Sequence, residues 1–235
     1  MFRPTADSRK RFCSSSTSRA KTALAAVMAL FLISIPGSVL TDEPSTDVIR
    51  VEEDWELHIG LPDPDTNGPQ IQNTFSVRED LNGDYAVWEI NHASQPSYRR
   101  GGMQLQLWRY DSIDHYRDFE AGTMLSLEDE TIHYTLSAEI KDGRLRFAVA
   151  NGTSDSWGTF GTSGDGESCN SVSHETNLTN LNTYRTETSL ANSGINYASH
   201  RVKRFSIREV RYYSSSGLIR RESQERVVHS SGVEE

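Results

Sequence analysis

The segment Met103-Gln104-Leu105-Gln106-Leu107-Trp108-Arg109-Tyr110 alternates apolar and polar positions with the period of two that marks a β-strand. Met103, Leu105 and Leu107 share one face, and Gln104, Gln106, Trp108 and Tyr110 the other. The first face suits a core; the second is a polar, aromatic surface. Similar alternation predicts strands over residues 55–59, 71–77, 85–91, 124–127, 131–140, 145–149 and 202–213. In the third of these, Ala86, Trp88 and Ile90 oppose Tyr85, Val87 and Glu89. Asn82-Gly83-Asp84 and Lys141-Asp142-Gly143-Arg144 carry the Asn-Gly and Asp-Gly signals of tight hairpins. Residues 178–190 fit either a short helix or a meandering strand. No amphipathic helix of ordinary length is visible, so the pattern predicts an all-β sandwich or barrel.

The termini read differently. Arg3, Arg9, Lys10, Arg11, Arg19 and Lys21 precede an apolar run over 23–35 and then Pro36-Gly37-Ser38, the layout of a secretory signal peptide. The run is short for a membrane span, and the alternative is an uncleaved anchor. The expected organisation is a signal peptide over 1–40, a flexible lead-in over 41–50, one β-sandwich domain over 51–213 and a polar C-terminal tail over 214–235. The expected location is secreted or extracytoplasmic, with no membrane insertion after cleavage.

Charge and cysteine content sharpen this picture. The 235-residue chain has 24 basic and 33 acidic residues. Removing six basic residues and one acidic residue with the leader takes the net charge from −9 to −14. A chain this acidic is not expected to bind nucleic acid or anionic membrane through its overall charge. Cys13 lies in the leader, leaving Cys169 without an internal disulfide partner, so the core must hold the fold.

The hairpin over 131–149, the segment Asn151-Gly152-Thr153-Ser154-Asp155-Ser156-Trp157-Gly158-Thr159-Phe160-Gly161 and the closing stretch from Asn192-Ser193-Gly194-Ile195 through 201–213 resemble a concanavalin A-like jelly roll of the lectin/glucanase class. The resemblance covers most of residues 50–213. It implies an all-β, two-sheet antiparallel β-sandwich of jelly-roll type with an extracellular glycan or polysaccharide on one sheet. Arg144 and Arg146 oppose Leu145 and Phe147, while His133 opposes Ile132 and Tyr134. Placed in one sheet, Gln104, Gln106, Trp108, Tyr110, His133, Arg144 and Arg146 form a ligand-binding groove. Aromatic rings there stack on sugars, and guanidinium groups grip carboxylates or sulfates.

Catalytic signals are weaker. Glu128 and Glu130 share a strand face, as a retaining glycosidase pair would, but the family's E-x-D-x-x-E pattern is missing. Gln104, Gln106, His133, Arg144, Arg146 and Tyr212 supply the residue types of a jelly-roll polysaccharide lyase without its motifs. The expectation is therefore a binding protein without catalysis. A polysaccharide-degrading lyase or glycoside hydrolase, and an adhesion or structural module of the cell envelope, are the alternatives.

No cofactor is required. Asp63-Pro64-Asp65-Thr66-Asn67-Gly68 spaces oxygen ligands like the start of a Ca2+ loop, but reads first as an Asx/Pro turn. Asp111, Asp114, His115, Asp118 and Glu120 form a second cation candidate, and Asn151 and Asn177 begin glycosylation sequons. Trp55 and Trp88 are in phase with apolar neighbours and belong to the core. Trp108 is out of phase with Leu105 and Leu107, so only a bulge would turn it inward.

Overall fold

The computed structural model describes residues 46–60, 69–91, 102–120, 129–161 and 170–231. The leader, residues 124–127, the turn at 63–68, Glu128 and Cys169 lie outside these. The elements are β1 (Arg50–Ile59), β2 (Gln70–Ser76), β3 (Asp84–Ile90), β4 (Gly102–Arg109), β5 (Ser112–Glu120), β6 (Glu130–Lys141), β7 (Arg144–Ser154), β8 (Gly158–Phe160), β9 (Ser171–Glu175), α1 (Thr186–Ala191), β10 (Gly194–Tyr197), β11 (Val202–Ser214), β12 (Gly217–Glu222) and β13 (Arg226–Ser230). One sheet runs β12–β11–β1–β6–β7–β8, with β13 also on β11 and β9 also on β7. The other runs β10–β2–β3–β4–β5. The paired strands are antiparallel, and the two sheets form an all-β sandwich.

Alternation places the core between the sheets. From β1, Val51, Trp55, Leu57 and Ile59 point inward; from β4, Met103, Leu105 and Leu107 meet them from the other side. Trp55 stacks on Phe205 at 5.0 Å, and Trp88 on Phe160 at 6.4 Å. Trp157, in the bend after β7, packs edge-on against Phe160 and closes the core there. Asp142 and Gly143 take φ of 51° and 70°, the left-handed pair that a two-residue hairpin turn between β6 and β7 requires.

One core position breaks the pattern. Glu53 faces inward between Val51 and Trp55 and is fully buried. It accepts hydrogen bonds from the Trp55 indole N–H (2.9 Å) and the Tyr184 hydroxyl (2.5 Å). Burial pushes its carboxyl up to about 7, with hydrogen bonding to Ser189, Tyr184 and Trp55 pulling the other way.

One expectation is corrected. Residues 214–235 do not begin a frayed tail, because β12 and β13 both pair with β11. β12 is almost wholly exposed, so its side chains lack an apolar rhythm; main-chain pairing holds it in the sheet. Of the two readings of residues 178–190, the short helix is the one observed: after an irregular stretch, α1 spans six residues, Thr186–Ala191.

Candidate ligand-binding face

β4 is the second strand from one edge of the five-stranded sheet, flanked by β3 and β5. Its inward face feeds the core. On its outward face the Trp108 indole N–H donates to Gln106 Oε1 at 2.7 Å. Gln106 Nε2 donates to Gln104 Oε1 at 2.5 Å, and Gln104 Nε2 donates to Asp118 Oδ1 at 2.6 Å. The direction of this relay is fixed at both ends. An indole can only donate, and an ionised carboxylate can only accept, so each amide between them has one orientation.

Cross-strand pairing adds a second aromatic ring. Tyr85 on β3 lies opposite Trp108, with ring centroids 5.9 Å apart and planes 9° from parallel. Burial, followed by the charge of Asp111, raises the Tyr85 phenol above its ordinary value and keeps it protonated as a donor. A bulge on β5 pairs Leu107 with His115 and Trp108 with Ile113, leaving Asp114 as the extra residue. The irregularity therefore falls in the partner strand, and Trp108 stays outward. Ile113 and Tyr116 complete an exposed apolar and aromatic fringe beside the stacked pair.

The predicted site residues separate into distinct places. Gln104, Gln106 and Trp108 stand together as expected, but both glutamines are buried and brace Trp108 from beneath the surface. Tyr110 leaves the strand. It takes φ of 54° in the two-residue β4–β5 turn, donates its N–H to Gly83 O at 2.8 Å and stands 68% exposed.

His133, Arg144 and Arg146 belong to β6 and β7 of the other sheet, so the expected single-sheet groove does not form. His133 lies 3.7 Å from Glu56 on that sheet's outer face. Arg146 is in register with Glu139, and Arg144 donates to Ser173 O and Oγ at 3.1 and 3.0 Å. Tyr212, the remaining lyase candidate, is buried against Tyr184. The lyase set is thus divided between two outer faces, a sandwich end and the interior.

The carboxylate candidates are similarly committed. Glu130 is buried and accepts from the hydroxyl of Ser154 and from the N–H and hydroxyl of Ser156, tying down the bend after β7. On the outer face of the larger sheet, Arg211 bridges Glu52, Asp54 and Glu209, while Arg204 forks onto Glu225. Hydrogen bonds from Arg204 and then Ser206 hold the Glu225 carboxyl down at about 2. Among the described residues, no group of three or more His, Cys, Asp or Glu is placed to hold a metal ion.

Tyr85 is the functional candidate that reading β4 alone misses. Its signal is present in the sequence, because Tyr85 is out of phase with Ala86 and Trp88 just as Trp108 is with Leu105 and Leu107. Pairing those two rings required the β3–β4 register. Protein-family models, curated proteins and solved structures gave no match to this chain.

Proposed function

We propose that this protein is a secreted or extracytoplasmic glycan-binding β-sandwich of the concanavalin A-like class, acting without catalysis. The binding surface is the outer face of the five-stranded sheet, centred on Trp108 and Tyr85. The observation that carries this reading is the aromatic pair: two rings stacked on the face away from the core, with Trp108 held by a directed amide relay ending on Asp118. Rings fixed before binding lose little conformational freedom when a sugar stacks on them. Exposed Tyr110, Ile113 and Tyr116 extend the area that a polysaccharide chain would cover.

A binding role is favoured over hydrolysis by the use of Glu130 as a buried structural acceptor. The test is a glycan-array screen run beside assays for new reducing ends and for unsaturated uronate products. Saturable binding without turnover supports the proposal. Turnover of a bound glycan overturns its non-catalytic part, and absence of binding across the array overturns the glycan reading.

A further inference from the structure

At one end of the sandwich lies an open cleft of about 810 Å3, to which both sheets contribute. Arg78 follows β2, Asp84 begins β3, Arg109 ends β4, and Asp142 and Arg144 come from the β6–β7 hairpin. Glu175, at the end of β9, stands opposite Arg144 in the β7–β9 register. Three guanidinium groups therefore converge on one cavity of an acidic chain.

Their partners differ in a way that sets what the cleft can bind. Arg109 is matched by Asp84 at 3.3 Å. Arg144 donates to the neutral Ser173 carbonyl and hydroxyl, with Glu175 as its register neighbour on β9. Arg78 makes no ion pair among the described residues, and its side chain lies along the backbone of Gly83. Two oriented or accessible cations thus remain beside Asp142 and Glu175. Guanidinium groups grip a carboxylate or sulfate by paired N–H donors, and carboxylates accept from hydroxyls. One anionic group surrounded by several hydroxyls is the pattern of an acidic sugar unit.

The cleft lies at the end of the two strands that carry the aromatic pair. Asp84 pairs with Arg109 and Tyr85 with Trp108, consecutive rungs of one ladder about 3.4 Å apart along the strand and on opposite faces of it, so a ligand reaches from the ring stack to the ion pair by crossing the end of the sheet. We infer that the end cleft is an acidic-sugar subsite, so that the ligand of the aromatic face is a glycan bearing carboxylate or sulfate groups. This rests on the glycan-binding reading above.

The test uses the full protein with three probes on one backbone: a neutral cello-oligosaccharide, its carboxymethyl derivative and its sulfate ester. The charged probes are expected to bind about tenfold more tightly than the neutral one, with the advantage lost in high salt. The carboxylate and sulfate arms identify which group the cleft prefers. Arg78→Ala and Arg144→Ala should each remove most of that advantage while leaving neutral-probe affinity and melting temperature near wild type. Arg221→Ala, on β12, serves as the control. Equal affinity for all three probes, or charged-probe binding unaltered by either variant, overturns the cleft while leaving the aromatic face standing. No binding of any probe overturns both.

Discussion

Glu53 makes the fold's stability depend on pH in a direction opposite to that of an ordinary surface carboxylate. In the folded protein its carboxyl is raised to about 7, against an ordinary value of 4.5. The folded state therefore holds one more proton than the unfolded state between those limits. The stabilisation is fully present below about pH 4.5 and is lost as pH rises through about 7. At about 1.4 kcal/mol per unit, the loss amounts to roughly 3 kcal/mol. That is a large fraction of a typical domain's net stability.

Glu53→Gln removes the ionisation while preserving the shape. Its carbonyl can still accept one of the two hydrogen bonds that the carboxylate takes from Trp55 and Tyr184. Loss of the other costs about 1 kcal/mol at every pH. Urea unfolding of wild type and variant from pH 4.5 to 8 should give curves that cross between about pH 5 and 6. The variant should be the less stable protein in acid and the more stable one above neutrality. Subtracting the two curves cancels every other titrating group. A difference that stays flat across this range would refute the burial and protonation assigned to Glu53.

Two further perturbations probe the core and the relay. A methyl group at Gly152 collides with the Phe160 ring, which packs on Trp88, Tyr134 and Trp157. Gly152→Ala should therefore destabilise by about 1–3 kcal/mol in thermal or urea unfolding, and an unchanged midpoint would contradict this packing. Gln106→Leu removes the acceptor for the Trp108 indole and the donor to Gln104. It should lower stability by about 1–2 kcal/mol and weaken glycan binding with an unchanged far-ultraviolet spectrum. Wild-type affinity in this variant would show that the relay does not position Trp108.

Much of the fold was legible because local alternation is a direct record of which face a strand buries. The segment from Trp55 to Ile59, the β4 strand and the Asp142-Gly143 turn all carry that record. Alternation assigns faces, however, and not sheets. Nothing within residues 103–110 or 131–149 reveals that β4 and the β6–β7 hairpin occupy different layers. That depends on β5 and β6 belonging to different sheets, and it is why His133 and Arg146 stand away from Trp108.

Glu53 was hidden for a related reason. In Glu52-Glu53-Asp54 it reads as one of three surface acids, and its hydrogen-bond partner Tyr184 is 131 residues away. The end cleft is built from turn-proximal residues of separate hairpins, so no single motif marks it. β12 and β13 lie at a sheet edge and carry their apolar residues as adjacent pairs, Leu218-Ile219 and Val227-Val228, so they show no period-two pattern.

The most direct test of the aromatic face is Trp108→Ala, measured for both affinity and stability with the best ligand from the array. Trp108 is half-buried on the outer surface, and removing its stack with Tyr85 and its hydrogen bond to Gln106 should cost about 2 kcal/mol of stability. Glycan affinity should fall by about tenfold or more, the scale of a lost central aromatic contact. Wild-type affinity, or a stability loss of several kcal/mol like that of a buried core aromatic, would contradict the placement of Trp108 at the centre of a binding surface.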